Sequence, residues 1–116
     1  MNVVAGVLVG LVAALHLYFL VLEMFLWTTP TGRRVFGLDA DFAERSKALA
    51  ANQGLYNGFL AAGLVWGLVS GRTDVRVFFL VCVVVAGVYG AATVNKRILV
   101  VQAVPAALAL VAVALS

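Results

Sequence analysis

From Val3 to Trp27 the chain is an almost continuous apolar run, interrupted by the ionisable side chains of His16 and Glu23. A spanning helix needs about 20 predominantly apolar residues, so this run is long enough to cross a bilayer. An ionisable group inside such a helix costs roughly 2.5–3.5 kcal/mol even on lenient insertion scales, which makes both residues candidates for function. Seven positions at about 100° each return Glu23 to the face that carries His16, roughly 10 Å further along the axis. Trp27 follows Glu23 by four residues, on the same stripe.

Further apolar runs follow, and composition leaves little else. Of the 116 residues, 65% are hydrophobic and 11% charged, against about 45–50% and 25% in soluble domains. The expected fold is all-α, a four-helix transmembrane bundle forming a single domain over 1–116, with helices at about 3–27, 41–70, 75–94 and 98–115. The first run lacks a basic leader and a small-residue cleavage site, so it reads as a mature helix rather than a signal peptide. The net charge of +3 comes from basic residues at helix ends, not from one soluble face, and predicts no nucleic-acid partner. Cys82 is the single cysteine, which excludes an internal disulfide.

Local signals place the breaks. Thr28-Thr29-Pro30 stops the first helix, because proline disfavours helix in the residue before it. Residues 31–40 read as a polar connection, and Asp41 with Glu44 reads as an N-cap and its capping-box partner. Phe59 to Val69 covers half a bilayer, so the second helix must draw Asn52, Gln53, Tyr56 and Asn57 into the membrane or its interface. Pro105 should kink the last helix. Arg33, Arg34, Arg45, Lys47, Lys96 and Arg97 occupy the first and third connections, against Arg72 and Arg76 at the second. The positive-inside rule then predicts a multi-pass protein of the cell (plasma or inner) membrane with both termini outside.

By depth, the polar residues gather in the cytoplasmic half. Glu23 and His16 come from the first helix, and Asn52, Gln53, Tyr56 and Asn57 from the second. Tyr89 and Thr93 come from the third and Gln102 from the fourth. Such groups are tolerated when they face the bundle and satisfy one another, so a cytoplasm-facing polar pocket is expected. Gly6/Gly10, Gly54/Gly58 and Gly63/Gly67 are GxxxG spacings that suit close packing, within the chain or in a homo-oligomer. One histidine and one intramembrane carboxylate make a poor ligand set, so no metal is expected.

His16-Leu17-Tyr18, Leu22-Glu23-Met24, Trp27-Thr28-Thr29-Pro30, Arg33-Arg34-Val35-Phe36 and Ala51-Asn52-Gln53-Gly54-Leu55-Tyr56-Asn57-Gly58 stand out as motifs. Together they resemble the signature of a family of small integral membrane proteins of bacteria and some fungi, domain-of-unknown-function family 1304. The similarity covers nearly the whole chain. It implies four transmembrane helices and brings no activity. A looser likeness to sterol-isomerase-type membrane bundles carries over no residue.

Three functions fit these residues. In the first, the protein binds or converts a hydrophobic small molecule without a cofactor, by isomerisation, cyclisation or epoxide opening. Glu23 and His16 serve as acid and base, and Tyr56, Asn52 and Asn57 orient an oxygen of the substrate. Gln53, Trp27, Tyr89, Thr93 and Gln102 complete the lining. In the second, the chain is a proton-coupled exporter the size of the small multidrug-resistance proteins, although Glu23 lies near one face rather than at the midplane. In the third, it is an accessory subunit of a larger membrane complex. Plainer readings stand beside each residue. Glu23 can snorkel and pair with Arg33, Arg34 or Lys96, His16 can be structural, and Trp27, Tyr56 and Tyr89 can be interface aromatics. The Arg33-Arg34 pair reads as a topology signal in contact with lipid headgroups.

Overall fold

A computed structural model describes residues 2–116. The chain is helical, with no strand among the described residues. Its helices are α1 (Val3–Met24), α2 (Pro30–Phe36), α3 (Ala40–Ser70), α4 (Thr73–Thr93) and α5 (Val104–Ala114), the last preceded by a π-helical turn, Leu99–Ala103. At 1.5 Å per residue α1 and α4 are each a little over 30 Å long, and both are apolar enough to cross a membrane. The apolar stretch Leu99–Ala114 is shorter than a span.

The region after α1 differs from the expected polar connection. The first helix ends at Met24 rather than Trp27, and Pro30 begins a helix rather than merely stopping one. Proline is suited to a helix start, where its missing N–H would have had no intrahelical partner. Thr29 makes the start possible. Its hydroxyl donates to the Leu26 carbonyl at 2.7 Å and accepts from the Gly32 N–H at 3.3 Å, which caps α2. Gly37, at φ +67°, closes α2 in the left-handed conformation. The cap of α3 also moves by two residues. Asp39, not Asp41, accepts the Phe42 N–H, at 2.7 Å, while Asp41 pairs with Arg45 and Glu44 with Lys47. The last helix carries its irregularity as the π turn before Pro105, whose ring cannot supply an N–H to the carbonyl four residues back.

The chain packs as two compact units. One comprises Leu60–Ser116 and α1 through Ala14. Its core joins Ala5, Val9 and Val12 of α1 to Leu64 of α3, Leu80 and Val83 of α4 and Ala106 and Ala109 of α5. The alanines among them, Ala5, Ala106 and Ala109, are small enough to let helices approach closely. At Gly87 a Cβ would meet the Ala103 backbone nitrogen at 2.8 Å, and at Gly67 it would meet the Arg76 Cγ at 2.7 Å. The other unit, Leu15–Phe59, holds the rest of α1, all of α2 and the first part of α3. There a Cβ on Gly54 would meet the Met24 Cγ at 2.6 Å, and one on Gly58 the Leu20 Cδ1 at 2.7 Å.

Gly54/Gly58 and Gly63/Gly67 therefore serve packing inside the chain. Gly10 does not: a Cβ there meets nothing within 4 Å. Gly10→Ala is expected to raise stability by about 0.5–1 kcal/mol through helix propensity alone. A rise in thermal midpoint in mild detergent checks this, and a fall would mean that Gly10 packs against something.

The outside of these helices is apolar. Val3, Val4, Val7 and Leu11 of α1 and Phe78, Val81 and Val85 of α4 are all exposed. Only 28% of each candidate span is buried inside the chain.

Candidate functional site

A side-chain hydrogen bond of the unit Leu15–Phe59 joins α1 to α3. Asn57 Nδ2 donates to Glu23 Oε1 at 2.5 Å. Asn57 is 5% exposed and Glu23 half-buried. They meet because Gly54 lies against Glu23 and Met24 with no side chain of its own between the helices. Asn57 sits three residues further on, on the same buried stripe of α3 as Ala50 and Gly54. None of the ion pairs among the described residues includes Glu23. Its partner is the neutral amide of Asn57.

His16 is fully buried and meets the Phe19 ring edge to face, centroids 5.4 Å apart at 73°. Seven residues of unbroken helix separate it from Glu23. At 1.5 Å per residue that is about 10 Å along the axis, so the two groups would meet different atoms of any ligand.

Trp27 lies in the turn after α1. Its Nε1 donates to Ser46 Oγ at 3.0 Å, and its ring packs on Phe36 at 4.8 Å between centroids. Ser46 Oγ in turn donates to the Phe42 carbonyl at 2.7 Å. Trp27 thus ties α2 and the start of α3 to the end of α1. Ser46 was not singled out in the sequence, and nothing in the spacing of Ser46 or Phe36 marks them as partners of a tryptophan.

The other candidates of α3 are not gathered at Glu23. Asn52, Gln53 and Tyr56 are exposed, and Tyr56 lies against Phe59, centroids 6.1 Å apart. Tyr89, Thr93 and Gln102 belong to the other unit. Tyr89 is 70% exposed, the Thr93 hydroxyl donates to the Tyr89 carbonyl at 2.7 Å, and Gln102 is half-buried in the π turn. One surface groove is lined by Trp66, Asp74, Val75, Phe78 and Phe79 and another by Pro30, Arg33, Arg34, Gly37 and Leu38. Neither takes in any of the ten candidates. No group of three or more potential metal ligands occurs among the described residues.

Arg76, read from sequence as a surface charge beside the second connection, is 3% exposed. Its Nη1 donates to Thr73 Oγ1 at 3.3 Å, while the buried Nε has no partner. The aliphatic stem fills the space that Gly67 leaves open.

An all-helical chain with two helices fit to span a membrane, and a carboxyl–amide pair linking α1 to α3, defines a class of small helical proteins rather than an activity. The chain belongs to the family described as "Protein of unknown function (DUF1304)", whose sequence profile matches residues 10–114. It is also 33% identical over 115 residues to "Uncharacterized protein YpaA" of Lactococcus lactis subsp. lactis (strain IL1403), covering 96% of this chain and 97% of that one. No solved structure matches it.

Proposed function

We propose that the protein is a multi-pass membrane bundle that binds a hydrophobic small molecule, with Glu23 and Asn57 receiving its polar head. The observation that carries this reading is the Glu23–Asn57 pair itself. A half-buried carboxyl group held by one neutral amide keeps lone pairs for a further donor, such as a hydroxyl or amine of a ligand. The apolar exterior of α1 and α4 supports residence in a membrane, since soluble monomers rarely expose apolar patches beyond a few hundred Å². In this reading α3 and the helical residues 97–114 supply the remaining two crossings, and the loop charges favour termini on the outside.

Glu23 is the group positioned to exchange a proton with a bound head. His16, some 10 Å along α1, has a structural role beside Phe19 rather than acting on the same atom. Conversion of the ligand therefore needs a single proton-transfer group, as in an isomerisation, and no cofactor.

Mass spectrometry of small molecules that co-purify with wild type and with Glu23→Gln tests the reading. Hydrogen bonds to charged or strongly polar groups contribute about 1.5–3 kcal/mol, so the substitution should reduce retention of a hydrophobic compound at least tenfold. Retention unchanged in Glu23→Gln, or no compound with either protein, overturns it. Proton movement in liposomes coupled to a cationic substrate would favour the exporter instead.

A further inference from the structure

The groove at α2 carries charge that no carboxylate pairs with among the described residues. The sequence has five acidic residues, and each is engaged elsewhere. Glu23 accepts from Asn57, Asp39 caps α3, Asp41 pairs with Arg45, Glu44 with Lys47 and Asp74 with Arg72. Arg33 and Arg34 are left without a carboxylate, and the buried Arg33 Nε has no hydrogen-bond partner. The Arg33 carbonyl is already occupied by the Gly37 and Leu38 N–H groups, so the two guanidinium groups are not spent on closing their own helix. Pro30, Gly37 and Leu38 complete the groove, and at Gly37 the Cβ direction is open for at least 4 Å.

The position along the chain selects the ligand. A helix of 22 residues accounts for the hydrocarbon thickness by itself, so the turn and α2 that follow Met24 fall at headgroup level. Trp27 and Phe36 of α2, in tilted ring contact, are aromatic side chains suited to that depth. Guanidinium groups present planar donors that fit phosphate oxygens two at a time. We infer that Arg33 and Arg34 seat the phosphate of an anionic phospholipid in the groove formed with Pro30, Gly37 and Leu38. This rests on the membrane reading above but not on the ligand assigned to Glu23.

Native mass spectrometry of the full chain in mild detergent, titrated with phosphatidylglycerol, phosphatidylcholine or inorganic phosphate, tests the site. Wild type is expected to retain phosphatidylglycerol over phosphatidylcholine. Each arginine near an anionic headgroup contributes about fivefold in affinity, so R33Q/R34Q should weaken phosphatidylglycerol binding about thirtyfold. R33K/R34K keeps the charges but loses the planar fork, and should fall between the two while showing that the fold tolerates change here. Lys96→Gln with Arg97→Gln should leave retention unchanged. Equal binding of the two lipids, or phosphatidylglycerol binding indifferent to Arg33 and Arg34, overturns the proposal. Inorganic phosphate binding as tightly as the lipid, with the same arginine dependence, overturns it in favour of a free-phosphate site. Release of wild type from membranes by alkaline carbonate is a separate readout, and it defeats the membrane reading itself.

Discussion

Gly32→Ala is expected to destabilise the protein by about 1–3 kcal/mol or more, the range for forcing extra atoms into a packed site. A Cβ at this position would lie 1.9 Å from the Leu26 oxygen, 2.7 Å from the Leu26 carbonyl carbon and 3.1 Å from the Trp27 Cα. All three are backbone atoms, so no side-chain rotation relieves the clash. Either α2 swings away or the turn over residues 25–29 rebuilds. Both moves break the Thr29 cap and separate Trp27 from Phe36 and Ser46. In a chain of 116 residues each kcal/mol is about 4 °C of thermal midpoint, which predicts a fall of roughly 4–12 °C in mild detergent. Gly10→Ala, with open space around its Cβ, provides the matched control. An unchanged midpoint for Gly32→Ala would show that Leu26 and Gly32 are not in contact.

The second large effect is expected at the contact between α1 and α3. Asn57→Leu removes the donor and leaves the half-buried Glu23 carboxyl without a partner, at a cost of about 1–3 kcal/mol. Glu23→Gln should cost less, because its amide oxygen still accepts from Asn57. Replacing both residues by leucine removes the stranded group along with its partner, so the double variant should be more stable than the sum of the single losses implies. Thermal or denaturant midpoints of wild type, Glu23→Leu, Asn57→Leu and the double leucine variant close the cycle, and directly contacting groups couple by about 0.5–3 kcal/mol. Additivity within error would mean that Glu23 and Asn57 do not meet. The same four proteins separate stability from function, because loss of a bound compound in the stable double variant could not be ascribed to unfolding.

Length and hydropathy made α1 and α4 legible, each within three residues of its observed ends, because a long apolar run has few alternatives to helix. They failed between Met24 and Ala40. α2 has seven residues, two turns at most, too few to leave a periodic signal, and its start depends on one threonine that bonds the Leu26 carbonyl on one side and the Gly32 N–H on the other. Asp39 and Asp41 are equally plausible caps in a string of letters, and the fold chose Asp39 because α3 begins at Ala40.

What the sequence by itself determined is the class of the chain: helices, apolar exteriors, an acid and an imidazole on one stripe of α1, and membership in its family. Hydrophobic pattern and helical period are properties of neighbours along the chain, so they survive without a structure. Which polar residue meets which was decided in three dimensions. Asn52, Gln53, Tyr56 and Asn57 are equivalent in the sequence, yet Asn57 alone among them reaches Glu23, because Gly54 and Gly58 let α3 close on Leu20 and Met24 along one face. Arg76 is buried for the same kind of reason, its stem lying in the space left by Gly67. Contact between helices depends on the side chains absent from the interface as much as on those present, and that absence acquires meaning only when the partner helix is in place.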